Sequence, residues 1–313
     1  MGTVAILGGT GFIGSRLCAE LAAQGWALRV ATRRRARADH LRLLPASSVV
    51  EADVNTAEGL AAALDGVDAA VNLVGILNER GDDGRGFQAA HAALPAALAR
   101  ACVATGVHRV VHMSALGAGP GAPSHYLRSK AAGEAALRAL PELELTVLRP
   151  SVVFGPGDSF FNRFAGLLRL APGVFPLACA GSRFAPVYVG DVARAFAAVL
   201  ASPGTAGHDY DLCGPHAYTL GELVRICAAA AGLRRLVIGL PAWASWLQAQ
   251  VLEFAPGKPF SRDNYRSLGV DNVCTGRCGL RALGIEPTAI EAVVPDLLAR
   301  RPGGRYGALR RRR

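Results

Sequence analysis

Aromatic residues are scarce in this sequence of 313 residues, where they make up only 6% of the chain. Hydrophobic residues as a whole reach 51%, with much alanine, leucine and valine. This composition suits helices that cover a parallel sheet. No internal repeat is visible, and the length is sufficient for one large α/β domain plus a smaller lobe.

Long apolar runs are also lacking. Leu236–Leu252 carries no charge, but it is short for a membrane span and contains Pro241 and two glutamines. No signal-peptide pattern precedes the first predicted strand. We therefore expect a cytoplasmic protein, with a peripheral position on the inner face of the membrane as an alternative.

The seven cysteines are scattered along the chain. Cys274 and Cys278 lie close together, but no second Cys or His pair completes a zinc site, so we predict no metal. Most of the other cysteines fall in apolar segments, which predicts buried free thiols. The pattern excludes the disulfide framework of a small secreted domain and favours a reducing compartment.

Acidic residues are absent from residues 300–313, which contain seven arginines. The whole chain has a formal net charge of +10, so the remainder carries only about +3, an ordinary balance for a globular protein. The charge therefore gives little support to nucleic-acid binding, and we predict no nucleic-acid partner. We expect residues 301–313 to be a disordered basic tail.

Residues 3–17, TVAILGGTGFIGSRL, form the segment around which the chain is organised. Its first part is an apolar run typical of a buried strand, and helical spacing follows. Gly8 allows a sharp exit from the strand, Gly11 lets a pyrophosphate approach the backbone, and Gly14 allows close helix–strand packing. The free N–H groups of the helix N-terminus would hold the phosphates. The predicted cofactor contacts here are Gly8, Thr10, Gly11, Phe12, Ile13 and Gly14.

Strand and helix patterns alternate from this segment as far as Arg149. The alternation predicts an α/β fold with a doubly wound parallel sheet of the Rossmann type. We interpret residues 1–150 as a dinucleotide-binding domain with ligands at the C-terminal ends of the strands. After Pro150, loops rich in Gly and Pro alternate with short helices. We expect residues 151–300 to form a smaller mixed α/β substrate lobe, with segments that return to the main sheet.

The residues after the second predicted strand indicate which dinucleotide binds. An NAD-specific site usually has an acidic residue there, whereas this chain has Thr32, then Arg33 and two further arginines. A guanidinium can pair with a 2′-phosphate and stack on adenine. We therefore predict NADP(H), with NADPH preferred, Thr32 and Arg33 as contacts, and NAD as the alternative.

Two later strand ends complete the predicted cofactor site. Asp53, followed by Val54, is a candidate acceptor for the adenine amino group; the alternative for this segment is a nearby helix N-cap. Leu73, Val74 and Gly75 follow the fourth predicted strand, where small residues can pass beside a cofactor. An ordinary turn is the alternative for these three residues.

Ser114 ends the fifth predicted strand, and Tyr126 and Lys130 follow as a Tyr-x-x-x-Lys pair. This spacing is about one helical turn, so the phenol and the ammonium share a face. A nearby ammonium and an oxidised nicotinamide would lower the pKa of Tyr126, which could then exchange a proton with a carbinol or carbonyl oxygen. Lys130 could also hold the nicotinamide ribose, and Ser114 the substrate oxygen. We predict all three as catalytic residues, with Tyr126 and Lys130 also contacting the cofactor.

Four motifs make the chain resemble the extended, epimerase-like branch of the short-chain dehydrogenase/reductase superfamily. They are GGTGFIG at 8–14, Ser114, YLRSK at 126–130 and LRPSVVFGPGD at 148–158. The resemblance implies a Rossmann fold that binds a nicotinamide dinucleotide, and it places Pro150 beside the nicotinamide.

A narrower similarity involves residues 71–79, 111–118, 154–172 and 261–273. These stretches resemble an atypical subgroup that contains the nucleotide-binding accessory subunit of respiratory complex I (alpha-subcomplex subunit 9) and its bacterial relatives. The similarity implies tight NADPH binding without necessary turnover, and some relatives are linked to quinone metabolism. His91 departs from the enzyme pattern, because it stands where many extended enzymes carry the asparagine of their catalytic tetrad.

Two apolar segments leave two interpretations open. The apolar face of Phe160–Leu168 could wall a substrate such as a quinone ring, or it could belong to the core. The helix predicted at Ala242–Phe254, with Trp243 and Trp246, could lie in the membrane plane or face a partner. A buried helix is the preferred interpretation of this second segment.

These observations predict a protein that binds NADP(H) tightly as a structural or redox ligand, with a role in a respiratory complex or in quinone metabolism. Expected partners are the dinucleotide, an apolar or quinone-like substrate, and a respiratory complex or membrane surface. The alternative is an active NAD(P)-dependent oxidoreductase or nucleotide-sugar epimerase/dehydratase that uses Tyr126 and Lys130. The intact Tyr-x-x-x-Lys pair favours the enzyme, whereas the narrower similarity and His91 favour the carrier. A cofactor-occupied redox sensor is a third hypothesis that no sequence feature singles out.

Overall fold

A parallel sheet of seven strands lies at the centre of the protein, whose computed structural model describes residues 2–256 and 258–299. The strands in chain order are β1 (Thr3–Leu7), β2 (Ala27–Thr32), β3 (Ser47–Glu51), β4 (Ala69–Asn72), β5 (Arg109–Met113), β6 (Glu144–Pro150), β7 (Val153–Phe154), β8 (Val174–Leu177), β9 (Arg183–Phe184), β10 (Val187–Tyr188), β11 (Asp209–Leu212), β12 (Tyr218–Thr219) and β13 (Leu236–Gly239). The central sheet has the order β11-β6-β5-β4-β1-β2-β3. The predicted doubly wound Rossmann sheet is confirmed.

The helices alternate with the strands of the sheet and continue after them. They are α1 (Phe12–Ala23), α2 (Ala57–Leu64), α3 (Arg85–Gln88), α4 (Leu94–Thr105), α5 (His125–Arg138), α6 (Phe160–Leu170), α7 (Val189–Ala201), α8 (Leu220–Ala230), α9 (Ala242–Leu252), α10 (Arg262–Ser267), α11 (Gly279–Ala282) and α12 (Val294–Leu298). A π-helical segment, Ala89–Ala93, joins α3 to α4, and short 3-10 helices span Arg35–Leu43, Pro203–Thr205 and Ile290–Ala292.

Local sequence explains where several helices begin and end. Thr56 precedes α2 and its hydroxyl accepts a hydrogen bond from the Gly59 N–H at 3.0 Å, which satisfies one free donor of the first turn. Ser124 caps α5 in the same way through the Leu127 N–H at 3.1 Å. α4 ends at Gly106, whose positive φ of 73° a residue without a side chain adopts at low cost.

Alternation of side chains along each strand divides the core between the two faces of the sheet. Val4 and Ile6 of β1 pack on one face with α1 and α7, whereas Ala5 and Leu7 pack on the other with α2, α4 and α5. Burying a leucine or valine side chain contributes roughly 1.5–3 kcal/mol, so both faces are needed for stability. The strand order changes direction at β1, with β2 and β3 on one side and β4, β5 and β6 on the other, which opens a crevice above the C-terminal end of β1.

The part of the chain after β6 forms a third apolar cluster, away from the main sheet. It joins α6, α8 and α12 around Phe161, Leu223 and Val294, all fully buried or nearly so. Three two-stranded sheets accompany it, formed by β7 with β10, β9 with β12, and β8 with β13. β11 instead joins the main sheet beside β6, with Asp209 opposite Val147. The predicted basic tail, 301–313, lies outside the described residues.

One pair of cysteines corrects the prediction of free thiols. Cys213, directly after β11, and Cys274 are joined by a disulfide bond that links positions 61 residues apart. Their Cα atoms lie 6.1 Å apart, within the usual range for such a bond. The sequence shows the two cysteines far apart, and only the packing of the 270–274 segment against β11 brings them together. Cys18, Cys102 and Cys227 are buried thiols as predicted.

The helix with two tryptophans corrects a second prediction, because α9 is not a buried helix. Trp243 is 71% exposed and Trp246 is 52% exposed, while the buried residues of the helix are Ser245 and Ala249. The Ser245 hydroxyl accepts a hydrogen bond from the Cys179 N–H at 3.1 Å, so small and polar residues attach this helix to the protein. Among the described residues, no helix is both long enough and apolar enough to cross a membrane.

Candidate functional site

The turn between β1 and α1 has the geometry that its three glycines predict. Gly8 has a φ of +83°, and its carbonyl accepts a hydrogen bond from the Gly11 N–H at 3.0 Å. A Cβ at Gly14 would lie 2.3 Å from the Gly8 carbonyl oxygen, so a side chain there would force the turn apart. A Cβ at Gly11 would meet only that same oxygen, at 3.2 Å, among described atoms within 4 Å. Gly11 therefore leaves space beside the N-terminus of α1, where a phosphate group fits. Thr10 lies in the turn itself.

The predicted adenosine contacts lie at the ends of β2 and β3. Thr32 is buried, and its hydroxyl bonds the backbone of the second residue after it rather than facing outward. Arg33 is exposed and lies close enough to Asp53 to lower the pKa of that carboxyl group. The larger cause of that lowering is Asn55, which donates its backbone N–H and its amide to Asp53. Val54 is partly buried and packs against the core on that side of the sheet.

The end of β4 lies against the glycine turn. A Cβ at Gly8 would lie 3.1 Å from the Leu73 carbonyl carbon and 3.3 Å from the Val74 nitrogen. The Asn72 side chain fixes this bend by accepting a hydrogen bond from the Val74 N–H at 3.1 Å. A Cβ at Gly75 would lie 3.3 Å from Lys130 Nζ. The structure therefore brings the loop after β4 between the phosphate turn and the predicted catalytic lysine.

His91 has a structural role that the sequence did not indicate. It lies in the π-helical segment, where its Nε2 accepts a hydrogen bond from the Ile76 N–H at 3.0 Å. Its Nδ1 is 3.0 Å from the Ser129 hydroxyl, which donates to the Tyr126 carbonyl at 2.7 Å. Burial, with a smaller effect of the Lys130 charge, lowers the pKa of His91 to about 2. A neutral His91 therefore connects the loop after β4 to helix α5.

The three predicted catalytic residues meet at the C-terminal end of β5. Ser114 directly follows this strand, and its buried hydroxyl has no hydrogen-bond partner among the described residues. Lys130 Nζ donates to the Met113 carbonyl at 3.1 Å, so the ammonium lies beside the strand end. Tyr126 lies in the first turn of α5, with its ring edge-to-face against His91 at 5.4 Å between ring centroids.

Burial dominates the titration of this group of residues. It raises the pKa of Tyr126 to about 12, opposite to the lowering expected from the nearby ammonium. It lowers the pKa of Lys130 to about 8, although the Glu134 carboxylate opposes this effect. At neutral pH the phenol is therefore protonated and the ammonium is charged, a combination suited to donating a proton to a substrate oxygen.

Comparison with known proteins assigns the chain to a family. The family model described as the NAD dependent epimerase/dehydratase family matches residues 4–213. The chain belongs to this family. The predicted membership of the extended short-chain dehydrogenase/reductase superfamily is confirmed, and the protein binds a nicotinamide dinucleotide.

Two curated relatives are similar over most of the chain. The chain is 29% identical over 308 residues to "NADH dehydrogenase (ubiquinone) 1 alpha subcomplex subunit 9, mitochondrial" of Mus musculus, covering 94% of this chain and 79% of that protein. It is 33% identical over 242 residues to "Ceramide reductase" of Caulobacter vibrioides, covering 77% of this chain and 74% of that one. The narrower similarity predicted from the sequence is thus confirmed.

Solved structures show the same fold. A dTDP-glucose 4,6-dehydratase from Streptomyces venezuelae, with NAD and TYD bound, superposes with a TM-score of 0.71 at 24% identity and covers 95% of both chains. Pal from Bacillus thuringiensis gives a TM-score of 0.75 at 16% identity, covering 95% of this chain and 98% of that one. The sheet order of this epimerase/dehydratase family member therefore has close structural counterparts.

A cavity of about 560 Å³ extends from the strand ends of this family member into the part of the chain after β6. Ser114, Tyr126 and Pro150 line its inner end, together with Phe12 and Ile13 from the start of α1. The opposite wall is mostly apolar and includes Phe160, Phe164, Leu167, Phe175, Leu177, Phe184, Leu252 and Phe260. Four of the predicted cofactor contacts and Ser114 thus share one continuous space with the apolar wall.

α6 combines the two interpretations that its sequence left open. Phe160, Phe164 and Leu167 face the cavity, whereas Phe161 and Leu168 are fully buried in the core. The two sets lie on neighbouring faces of one helix, so α6 is both a wall and a core element.

Two residues that shape the site were missed at the sequence level. Asn272 lies at the cavity, and its side-chain oxygen accepts hydrogen bonds from the Ser151 hydroxyl at 2.6 Å and the Val152 N–H at 3.0 Å. Asp263 accepts hydrogen bonds from the backbone N–H groups of His125 at 2.7 Å and Tyr126 at 3.1 Å. Asp263 thereby holds the first turn of α5, which carries the predicted catalytic tyrosine. A polar residue more than 100 positions from its partner gives no local signal in the sequence.

The Asp263 carboxylate also belongs to a group of potential metal ligands with Asp82 and His125. Asp82 is paired with Arg266 at 2.8 Å and with Arg262 at 3.2 Å, and Asp263 caps α5 as described above. The carboxylates are thus balanced by guanidinium groups and backbone N–H donors, and this group functions as an ion-pair and helix-cap cluster.

Proposed function

We propose that this protein is an NADP(H)-dependent oxidoreductase that reduces the carbonyl group of a large apolar substrate. The observation that carries the proposal is the buried hydroxyl of Ser114, which has no partner in residues 2–256 and 258–299 and shares an apolar cavity with Tyr126. A buried hydroxyl without a partner is costly, by roughly 1–3 kcal/mol, unless a ligand supplies the missing hydrogen bond. A carbonyl oxygen would supply it.

Three side chains have separate roles in the proposed reaction. The nicotinamide, when bound, supplies the hydride that forms the new C–H bond at the carbonyl carbon. Ser114 donates a hydrogen bond to the carbonyl oxygen and holds it. The protonated phenol of Tyr126 then transfers its proton to that oxygen as charge develops, and the charged Lys130 stabilises the phenolate left behind. The net change is reduction of a carbonyl to a carbinol.

The preference for NADPH rests on Arg33. It is exposed at the end of β2, where an NAD-specific site would have a carboxylate. Its neighbour Asp53 is held by Asn55, so the guanidinium retains freedom to turn toward a 2′-phosphate. We propose that Arg33 makes this charge-assisted contact and that Asp53 accepts from the adenine amino group.

The apolar substrate class follows from the cavity walls. Five phenylalanine rings on the wall opposite Ser114 and Tyr126 face this space, at positions 160, 164, 175, 184 and 260. A nucleotide-sugar substrate would require many polar partners, so the walls favour a lipid-like or quinone-like molecule over one. The relative named ceramide reductase points in the same direction.

A second candidate function is a carrier in which NADPH is a structural ligand of a respiratory complex. Two observations favour it: the relatives named as complex I subunits, and the pKa of about 12 for Tyr126, which makes the phenol a weak acid. In this case Lys130 would hold the cofactor, and the Ser114 hydroxyl would form its hydrogen bond with the cofactor or with water.

Turnover by Tyr126→Phe separates the two candidates. The assay follows NADPH oxidation with long-chain ketones and a short-tailed quinone as acceptors. We expect kcat to fall about 10²–10⁴-fold, because the ring keeps its packing but loses the transferable proton. Tyr210→Phe, on β11 and outside the cavity lining, is the matched control and should leave kcat unchanged. The carrier is favoured instead if protein loaded with NADPH oxidises none of it, or if Tyr126→Phe matches the wild type.

A further inference from the structure

An exposed apolar surface lies beside the cavity and is not used by the proposed reaction. On α9 and directly after it, five large side chains are between 48% and 82% exposed. They are Trp243, Trp246, Leu247, Val251 and Phe254. Large aromatic side chains are rarely left in water in such density, so this surface indicates a binding face.

The β8–β13 pair extends this surface. Leu236 pairs with Val174, and Ile238 pairs with Pro176, which places all four on adjacent positions of the two strands. All four are exposed, at 62% for Leu236 and 48% for Val174. The outward side of the sheet is therefore apolar where solvent contact would favour polar residues.

Gln248 joins the helix to this sheet. Its amide nitrogen donates to the Pro176 carbonyl at 3.3 Å, and its amide oxygen accepts from the Ala178 N–H at 3.1 Å. α9 is thus attached to the end of β8, so the exposed residues of the helix and of the two strands lie on neighbouring elements. We call these exposed residues, with Leu170 at the end of α6, the apolar face.

The exposed charges of the segments that build the apolar face have one sign. Residues 160–177 and 234–254 contain arginine at 163, 169, 234 and 235, and their single carboxylate, Glu253, is buried and paired with Lys258 at 2.6 Å. Arg163, Arg169 and Arg234 are exposed. Exposed tryptophans, aliphatic side chains and cationic groups without exposed acids match the boundary of an anionic bilayer, where phosphates meet acyl chains.

The cavity reaches the same face. Pro176 and Gln248 belong to the junction of α9 and β8, and both line the cavity. Leu252, on the last turn of α9, and Leu77, which is 58% exposed, line it as well. A molecule that enters between these residues would pass from the apolar face toward Ser114 along apolar walls.

We propose that the apolar face docks on an anionic phospholipid bilayer and directs the cavity mouth toward the lipid. An apolar ligand could then move from the bilayer to the cavity without crossing water. The docking requires neither turnover nor a bound dinucleotide, so it can be tested separately from the proposed reaction.

Vesicle flotation of the full chain tests the docking. The probes are vesicles of phosphatidylcholine containing phosphatidylglycerol, and vesicles of phosphatidylcholine alone. We expect the wild type to bind the anionic vesicles, and the double variants Trp243→Ser/Trp246→Ser and Arg169→Glu/Arg234→Glu to bind them about tenfold or more weakly. All four side chains are exposed, so the variants should fold normally, which circular dichroism can verify.

Matched controls use exposed residues that do not belong to the apolar face. Leu43→Ser removes an 88% exposed leucine, and Arg16→Glu reverses an exposed charge on α1; both variants should bind like the wild type. All variants keep residues 300–313, so the arginines there contribute equally to every measurement. Tryptophan emission gives a second readout, because two of the three tryptophans lie on the face while Trp26 is only 8% exposed. Their emission should shift to shorter wavelength on binding, and brominated lipids should quench it.

Three results would overturn the proposal. The first is equal binding by the wild type and both face variants, which would assign membrane binding to residues elsewhere. The second is a folded wild type that binds neither kind of vesicle. The third is a wild-type dimer in sedimentation that the tryptophan variant dissociates while vesicle binding is unaffected, which would make the apolar face an interface between two copies of this chain.

Discussion

The glycine turn and the cavity walls are built from residues at very different distances along the chain. Gly8 and Gly14 meet within one turn, where a Cβ on the second would overlap the carbonyl of the first. Ser151 meets Asn272 across 121 positions, and that contact shapes one side of the cavity. The cofactor side is therefore encoded locally, whereas the substrate side depends on the packing of distant segments.

This difference has a consequence for variation. A change at Gly11, whose Cβ would meet one described atom within 4 Å, should alter cofactor binding while the fold is retained. A change in the long-range contacts of the second half should alter stability and cavity shape together, because those contacts hold the walls in place.

The largest expected effect comes from the local side. Gly11→Val should abolish dinucleotide binding, with at least about a 100-fold loss of affinity, because its side chain would occupy the space left for the pyrophosphate. Calorimetry with NADPH measures the loss, and thermal unfolding without cofactor should show a folded protein. Gly119→Val, at a loop glycine whose Cβ would meet no atom within 4 Å, is the matched control and should bind normally. Retained binding by folded Gly11→Val would show that the turn is only structural.

The disulfide tests the long-range side. The double variant Cys213→Ser/Cys274→Ser should lose about 2–4 kcal/mol of unfolding free energy in denaturant, because the closed loop restricts the unfolded chain. Cys179→Ser, at a partly buried free thiol, should cost much less. Titration of the unreduced, denatured protein should find five thiols of the seven cysteines. Seven reactive thiols would contradict the bond.

Substitution of Arg33 tests a single predicted contact of the cofactor side. Arg33→Ala should weaken NADPH binding by about 1.5–3 kcal/mol, the usual loss for a hydrogen bond to a charged group, and leave NADH binding nearly unchanged. Competition calorimetry with the two cofactors gives both values. Equal affinity of the wild type for NADPH and NADH would remove the basis for the NADPH preference.

The smallest effect concerns His91, which connects the loop after β4 to helix α5. Its pKa is lowered to about 2 by burial, and burial lowers that of His112 to about 3, so both stay neutral in the folded protein. In the unfolded chain both imidazoles have the ordinary histidine pKa of about 6.5 and bind a proton below it. The free energy of unfolding therefore falls as the pH drops through that value. Each histidine should lower the free energy of unfolding by about 1.2 kcal/mol between pH 6 and pH 5. Below pH 6, the free energy of unfolding of His91→Gln, measured in denaturant, should depend less steeply on pH than that of the wild type, by the uptake of one proton. An unchanged pH dependence would contradict a neutral His91.

Sequence reasoning recovered the features that depend on neighbours in the chain. The parallel sheet, the glycine turn and the Tyr126–Lys130 pair follow from periodicity and spacing, and the structure brings Ser114 to the same strand end. The functional roles of these residues remain predictions, as do the division at residue 150 and the cofactor contacts after β2 and β3.

The errors have a common physical cause. Cys213 and Cys274 gave no local signal for pairing, and Asp263 acts on α5 from 137 and 138 positions away. α9 was expected to be buried because its large apolar residues recur at helical spacing, yet Ser245 and Gln248 supply its attachment and leave the tryptophans outside. Burial of a uniformly apolar helix depends on which neighbours it packs against, and that information is not contained in its own spacing.

Transfer of a labelled hydride tests the proposed oxidoreductase most directly. The wild type is incubated with NADPH deuterated at the transferable C4 position and with a panel of long-chain ketones and quinones, and products are weighed by mass spectrometry. The proposed function predicts a carbinol product that carries one deuterium at the former carbonyl carbon for at least one ketone, and a far smaller amount with Tyr126→Phe. Tight binding of the labelled NADPH with no deuterium in any product would contradict the oxidoreductase and identify the nucleotide as a structural ligand.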